Sequence, residues 1–154
     1  MKAVIVCTSV SHGNTKRIAE VMGEVIGAPV LAPEETDPAE LAACDLVGFG
    51  SGIFHLDFHP RLREFVRSLP GVARGKAFVF ATRGLPEPSF RPYTRRFTGL
   101  VEQKGFEVID TFACSGFDTW LPFKLVGGIR RGHPGPADLA AALRFAEGLR
   151  VRTA

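Results

Sequence analysis

Cysteine is scarce in this chain of 154 residues, and its spacing argues against a disulfide framework. The three cysteines are Cys7, Cys44 and Cys114, and no two of them form a CxxC pair. Because the number of cysteines is odd, at least one of them cannot form a disulfide within the chain. Two of the three lie inside apolar runs, where a thiol behaves as a small hydrophobic side chain. We therefore expect a protein of a reducing compartment.

Long hydrophobic runs are also missing. The longest apolar runs, such as residues 3–7 and 77–81, are far shorter than the ~20 residues that a membrane-spanning helix requires. The chain passes from Met1 and Lys2 directly into a strand-like run, without the three-part pattern of a secretory leader. We expect a cytoplasmic protein with no membrane partner.

A strong charge of one sign is absent as well, because the net charge is only +3. The first 77 residues carry 8 basic against 9 acidic residues, and the remaining 77 carry 11 against 7. A nucleic-acid footprint needs basic residues clustered on one face, so this dispersed excess does not predict a nucleic-acid partner. It indicates a bias toward anionic ligands or partners.

The chain does contain a regular alternation of strand and helix patterns. Short apolar runs predict five strands, at residues 3–7, 29–31, 46–49, 77–81 and 108–113. Helical spacing of apolar residues predicts helices within 18–26, 62–69, 93–101 and 139–149, and Asp37, Pro38 and Glu40 predict the start of a short additional one. Strands that are apolar on both faces are typical of a parallel sheet between helices. We therefore predict a single domain over residues 1–154, of the doubly wound α/β class.

In such a fold, ligands bind beyond the carboxyl ends of the strands, so the loop after the first strand is the first candidate. It runs from Thr8 to Thr15 and combines hydroxyl side chains, one glycine and the start of a helix. Free backbone amides at a helix start are suited to a phosphate group. An ordinary polar loop that ends in an Asn or Thr cap fits the same residues equally well.

Three other phosphate motifs fit poorly. The P-loop pattern G-x-x-x-x-G-K-[ST] is absent, and the glycine run Gly48, Gly50 and Gly52 falls on the third predicted strand, whereas a dinucleotide fingerprint opens the first helix. A phosphoacceptor receiver domain would need a carboxylate at the end of the third strand, yet Asp45 precedes that strand. These observations argue against nucleoside triphosphates, Rossmann dinucleotides and phosphoacceptor chemistry.

The residues resemble those of the flavodoxin family. Residues 9–15, S-V-S-H-G-N-T, resemble the flavodoxin phosphate loop, a Ser/Thr cluster followed by Thr-Gly-Asn-Thr. Residues 50–54, G-S-G-I-F, and 82–84, T-R-G, resemble the second and third flavin loops. The resemblance covers nearly the whole chain and implies a five-stranded parallel sheet in the order 2-1-3-4-5. Residues 116–134 resemble a subgroup distinct from the acidic electron carriers.

The resemblance implies a bound FMN, with its phosphate on residues 9–15 and its ring between the loops 51–55 and 82–86. The residues that it assigns to the cofactor are Ser9, Ser11, His12, Gly13, Asn14, Thr15, Ser51, Gly52, Ile53, Phe54, Thr82, Arg83 and Gly84. Phe54 is the candidate to stack on the ring. Arg83 is the candidate to stabilise an anionic reduced flavin or to hold a substrate anion.

The chain departs from the family pattern in ways that bear on function. His12 stands where flavodoxins usually carry Thr, the sequence pI is 9.0, and Leu85 and Pro86 occupy the place of the Tyr that often covers the flavin. We predict an electron-transfer protein with a redox protein partner or a small-molecule acceptor. The alternatives are an FMN-dependent NAD(P)H quinone-type reductase and a cofactor-free interaction module.

Two further patterns have both a functional and an ordinary interpretation. His55, Asp57 and His59 stand two apart and could ligate a metal, but no further ligand cluster lies nearby in the sequence, so we predict no metal site. Two arginine pairs, 95–96 and 130–131, are most simply solvated charges. If their loops converge, they would bind an anion such as a nicotinamide phosphate or an acidic protein.

Overall fold

The structure is a computed structural model that describes residues 1–9, 13–72, 74–115 and 135–153. The strands are β1 (Ala3–Thr8), β2 (Val30–Leu31), β3 (Leu46–Phe54), β4 (Asp57–Phe58), β5 (Lys76–Arg83) and β6 (Glu107–Ser115). The helices are α1 (Asn14–Ile26), α2 (Pro38–Ala42), α3 (Pro60–Ser68), α4 (Tyr93–Gln103) and α5 (Pro136–Thr153), with a 3₁₀ turn at Pro33–Glu35. The predicted similarity of residues 116–134 to a flavodoxin subgroup lies outside the described residues.

Five strands form a parallel sheet in the order β2-β1-β3-β5-β6. Without the additional strand β4, these five strands are numbered 1 to 5 along the chain, so their order is the predicted 2-1-3-4-5. The predicted order is therefore confirmed. The strand β4 was not predicted; it pairs antiparallel with the end of β3, where Phe54 lies opposite Asp57. The strand β3 is also longer than its apolar run, since it continues through the glycines to Phe54.

The sheet separates two hydrophobic clusters, as expected for a doubly wound fold. One cluster packs Val47, Phe49 and Val79 against α3 and α4. The other packs Ile5 and Phe78 against α1 and α5. Every residue of β1 is buried, which explains why its apolar run shows no alternation. The fold class predicted from the sequence is therefore confirmed.

The glycines of β3 make room for aromatic side chains of the neighbouring strand β5. A Cβ atom at Gly48 would lie 2.3 Å from the ring of Phe78, and one at Gly50 would lie 2.2 Å from the ring of Phe80. Both rings are buried, and they stack with their centroids 5.9 Å apart. The glycine run of the sequence therefore has a packing role at these two positions.

The first and second helices begin in different ways. Helix α1 follows Gly13, which has a φ of 65° in the left-handed region, where glycine is favoured. Helix α2 follows Asp37, whose Oδ1 accepts a hydrogen bond from the Ala39 amide at 2.9 Å. The predicted short helix is thus confirmed. Within the described ranges, no helix is both long and apolar enough to cross a membrane.

Candidate functional site

Three loops meet at the carboxyl edge of the sheet, as expected for parallel strands of similar length. Thr8 at the end of β1 lies beside Ser51 of β3, and Gly52 of β3 lies beside Thr82 of β5. The loops that follow these strands therefore start at the same level on the central three strands. The predicted site residues lie in these loops and at the ends of the strands that precede them, and Ser11 and His12 lie outside the described residues.

The first loop leads into α1 and presents a helix N-terminus. Its Ser9 Oγ accepts a hydrogen bond from the Lys16 amide at 3.2 Å, and the Gly13 carbonyl accepts one from the Arg17 amide at 3.1 Å. The amides of Asn14 and Thr15 donate to no acceptor among the described residues. Such free amides, together with the positive end of the helix dipole, form a suitable site for an anion.

Hydroxyl groups connect the first loop to the third. The Oγ1 atoms of Thr15 and Thr82 lie 2.7 Å apart in a buried hydrogen bond. The nearby Thr8 Oγ1 is buried and has no hydrogen-bond partner among the described residues. A buried hydroxyl without a partner costs free energy unless a further group satisfies it. This edge of the sheet therefore has unused hydrogen-bonding capacity next to the helix N-terminus.

In the second loop, Ser51 ties the end of β3 to the start of α3. Its side chain is fully buried, and its Oγ donates to the Gly52 carbonyl at 2.8 Å and accepts from the His59 amide at 3.0 Å. The hydroxyl is thus engaged within the protein. The prediction that Ser51 contacts the cofactor stays a prediction, and the structure gives this side chain a role in holding the loop.

The second loop makes a tight turn between β3 and β4 at His55 and Leu56. Their φ angles are 51° and 59°, and positive angles at both central residues are typical of a type I′ hairpin turn. Neither residue is glycine, so the backbone is strained there. Arg91, from the loop before α4, supports the turn because its Nε donates to the Leu56 carbonyl at 3.1 Å.

Replacement of Leu56 by glycine is expected to raise the free energy of unfolding by about 1 kcal/mol, because glycine adopts a positive φ without the steric cost of a Cβ atom. Leu56 is exposed, so little packing is lost. Urea unfolding of Leu56→Gly and Leu56→Ala measures the effect. The alanine variant keeps the Cβ atom and serves as the control, and equal stabilities of the two variants would contradict strain at this turn.

Asp57 anchors the strand that follows the turn. Its carboxylate is mostly buried, and it lies 3.8 Å from Arg63 Nε and 3.6 Å from the Arg91 guanidinium. Arg63 also donates through Nε to the Phe58 carbonyl at 2.9 Å. The carboxylate is therefore paired with cations, which does not suit a metal ligand. Within the described part of the chain, no group of three or more His, Cys, Asp or Glu side chains is placed to hold a metal ion.

His59 caps helix α3 through its ring. Its Nδ1 accepts a hydrogen bond from the Arg61 amide at 3.0 Å, and its ring lies edge-on to that of Phe54, with centroids 5.7 Å apart. Burial, assisted by the charges of Arg61 and Arg63, lowers the pKa of His59 below its ordinary value. A lowered pKa agrees with the cap, since only a neutral ring can accept at Nδ1.

The stability of the protein is expected to fall as the pH drops below 6.5, the ordinary histidine pKa. The lowered pKa of His59 means that the unfolded chain binds the proton more readily, so acid favours unfolding until the folded form is protonated too. Urea unfolding between pH 7.5 and 5 measures how the free energy of unfolding changes with pH. In His59→Asn, which keeps a capping oxygen without titration, the fall should be smaller. An identical fall in both proteins would assign the pH dependence to other groups.

The second and third loops enclose a cleft of about 530 Å³. Its lining residues are Ile53, His55, Leu56, Arg83, Gly84, Leu85 and Tyr93. This volume is within the range of small-molecule sites. Three predicted site residues, Ile53, Arg83 and Gly84, line the cleft. Phe54, which lies between Ile53 and His55 in the chain, is 39% exposed, and Leu85 is 57% exposed.

Tyr93 is a cleft residue that the sequence analysis did not assign to the site. The sequence indicated only that it lies on the apolar face of a helix, and the residue is indeed buried. Burial raises the pKa of Tyr93 and is a stronger influence than the nearby Arg83 side chain, which acts to lower it. Tyr93 is therefore a neutral side chain that lines the cleft together with Arg83.

The cysteines take no part in this site as nucleophiles. Cys7, Cys44 and Cys114 are free and buried. Burial raises the pKa of Cys7 and of Cys114 to about 12. Since the thiolate is the reactive form, these two side chains are inert at neutral pH.

Comparison with known proteins identifies relatives of the whole chain. A family model described as "Flavodoxin domain" matches residues 5–116. A protein of Methanocaldococcus jannaschii with no assigned function is 32% identical over 149 residues, which is 97% of this chain and 98% of the relative.

Solved structures share the fold at low sequence identity. A flavodoxin from the domain Archaea superimposes with a TM-score of 0.73 at 16% identity, over 99% of each chain. The apo form of an NADH:FMN oxidoreductase superimposes with a TM-score of 0.63 at 16% identity, over 99% of this chain and 90% of that one.

Proposed function

This chain belongs to the flavodoxin domain family, and from that premise we propose that it binds FMN and transfers electrons between redox partners. The observation that carries the proposal is the hydrogen bond between Thr15 and Thr82. It joins the start of helix α1, which follows the first loop, to the end of strand β5, which borders the cleft. A phosphate site and a ring site are thus adjacent on one edge of the sheet.

The residues present fit FMN on three counts. The amides of Asn14 and Thr15 and the turn at Gly13 suit the phosphate group, since a Cβ at Gly13 would meet no described residue within 4 Å. The Thr8 hydroxyl needs a partner and lies at the same edge. Among the described residues, the lining of the cleft is mainly apolar and includes the guanidinium of Arg83, which suits a ring system with polar edges.

When bound, FMN supplies the redox chemistry, and the protein supplies binding and electrostatics. In this proposal, Gly13, Asn14 and Thr15 hold the phosphate, and Ile53, Phe54 and Gly84 border the ring. Arg83 places a positive charge at the cleft, where it favours the reduced and more negative cofactor. Arg91 keeps the strained turn at Leu56 in place beside the ring site.

A second candidate function is an FMN-dependent reductase that takes hydride from NAD(P)H and reduces a quinone-type acceptor. The exposed rim of the cleft favours it, because Phe54, Leu56 and Leu85 leave the site open to a second molecule. The neighbour named as an NADH:FMN oxidoreductase has the same fold. The partner in this case is a small molecule, whereas the electron carrier requires a protein. Either activity is consistent with a cytoplasmic protein that keeps its cysteines reduced.

An absorbance spectrum, an FMN titration of the cofactor-free protein and anaerobic addition of NADPH test these functions in sequence. Flavin bands that bleach only with dithionite support the electron carrier. Bands that bleach with NADPH support the reductase and contradict the carrier. A protein that neither retains nor binds FMN would contradict both and would support a cofactor-free interaction module.

A further inference from the structure

A second concave surface lies between helices α3 and α4, beside the candidate site. It is a groove of about 380 Å³. Its charged residues are Asp57 of β4, Arg63 and Arg67 of α3, and Arg95 and Arg96 of α4. We call these five residues the arginine groove. The sequence had singled out Arg95 and Arg96 as a possible anion site; the structure brings them together with two arginines of α3, whereas Arg130 and Arg131 lie outside the described residues.

The positive charge of the arginine groove is largely uncompensated. The carboxylate of Asp57 is already shared between Arg63 and Arg91. The side chains of Arg67, Arg95 and Arg96 are exposed and make no hydrogen bond or ion pair with any residue that the structure describes. Like charges that are held together repel one another, so a bound anionic group would be favourable here.

The arginine groove adjoins the proposed FMN cleft. Leu56 lines the cleft and Asp57 lines the groove, so the β3–β4 turn separates the two. Arg91 contacts both residues, through a hydrogen bond to the Leu56 carbonyl and an ion pair with the Asp57 carboxylate. Its neighbour Phe90 is 82% exposed, more than any other large apolar side chain among the described residues. An exposed aromatic residue near arginines is typical of a protein interface.

We propose that the arginine groove docks an acidic surface of a protein redox partner, with Phe90 as an apolar anchor. The inference rests on the proposed function, because it places the partner beside the FMN cleft. Charge complementarity identifies the partner as acidic. A dinucleotide is a poorer fit, because its phosphates are usually held by backbone amides of a glycine-rich turn, whereas this groove presents side chains of two helix faces.

Charge reversal at two exposed arginines tests the groove. The variant Arg67→Glu/Arg95→Glu changes one residue on each helix and leaves Arg63, which holds β4, in place. The matched control, Arg144→Glu/Arg150→Glu, makes the same change of net charge on α5, which packs against the opposite face of the sheet. All four side chains are exposed, so both variants should fold.

Binding is measured on the cofactor-free protein by fluorescence anisotropy, with a fluorescein-labelled peptide of Asp and Glu that contains one Trp. At low ionic strength we expect the groove variant to bind the peptide about tenfold or more weakly than the control. Physiological salt should weaken binding to the wild type, because it screens charges beyond about 8 Å. Phe90→Ala should also weaken it. Equal losses in the groove and control variants, or no binding to the wild type, would overturn the proposal.

Inorganic pyrophosphate provides the competing probe. If it displaces the peptide at micromolar concentration and Phe90→Ala leaves the peptide affinity unchanged, the groove is a small-anion site and the docking proposal is wrong. Electron transfer from the reduced FMN protein to an acidic plant-type ferredoxin is the second readout, and it should slow about tenfold only in the groove variant. If the chain fails to bind FMN while peptide binding still depends on the groove, the docking surface stands and the proposed redox function falls.

Discussion

Replacement of Gly13 by aspartate is expected to weaken FMN binding about 100-fold, whereas replacement by asparagine should change it far less. Two unit charges 4 Å apart repel by about 4 kcal/mol at the effective dielectric constant near a protein surface. Exposure to solvent reduces this to about 3 kcal/mol, and every 1.4 kcal/mol is a factor of about ten in affinity. A carboxylate at the start of α1 would oppose the phosphate group that the proposed function places there.

The pair of variants isolates charge, because the two side chains have nearly the same shape. Both can adopt the positive φ of residue 13 at a similar cost, and a Cβ atom there meets nothing within 4 Å. Quenching of FMN fluorescence gives the dissociation constants, and urea unfolding of the cofactor-free proteins shows whether either variant is less stable. Equal FMN affinities for the two variants would mean that the phosphate does not lie at this turn.

The strands could be predicted because they follow from local patterns, whereas the sheet order followed from the resemblance to flavodoxins. Apolar runs defined the five strands, the rule that ligands lie at carboxyl ends selected the loop after β1, and the resemblance to flavodoxins selected those after β3 and β5. The strand β4 was missed because it has only two residues, and one of them is Asp57, a polar side chain that is buried by ion pairing. The ion pairs of Asp57 with Arg63 and Arg91 leave no recognisable pattern in the sequence around Asp57.

The supporting contacts of the site were also beyond sequence reasoning. Arg91 holds the carbonyl of Leu56, which is 35 positions away, and the Thr15 hydroxyl meets that of Thr82 across 67 positions. Such contacts depend on how the loops are brought together by the sheet. Ser51 illustrates the same limit, since no sequence pattern indicated that its hydroxyl accepts a hydrogen bond from the His59 amide.

The glycine run of β3 shows how one sequence feature can suggest two roles. Gly48, Gly50 and Gly52 resemble a nucleotide-binding run by composition, but they lie on a central strand. At Gly48 and Gly50 a Cβ atom would collide with the rings of Phe78 and Phe80. At Gly52 the nearest atom, on the Phe54 ring, would lie 3.3 Å away, which is less severe. The first two glycines are therefore needed for packing, and only the third lies at the edge where the site is.

Replacement of Gly50 by alanine is consequently expected to lower the free energy of unfolding by about 3 kcal/mol. The new methyl group would lie 2.2 Å from the Phe80 ring, which is fully buried and stacked on Phe78, so the ring cannot move without further clashes. Overpacking of a core usually costs about 1–3 kcal/mol, and backbone shifts in a central strand place this variant at the upper end. Urea unfolding of the cofactor-free protein measures the loss.

A compensating change distinguishes this collision from a general intolerance of the strand. In Gly50→Ala/Phe80→Leu the smaller side chain on β5 makes room for the methyl group, so the double variant should be more stable than the sum of the two single losses predicts. The interaction energy from this double-mutant cycle is expected to be about 1–2 kcal/mol in favour of the pair. Strict additivity would show that the Phe80 ring is not what requires glycine at position 50.

Gly99→Ala, at a helix position where a Cβ meets nothing within 4 Å, should be neutral or stabilising by comparison.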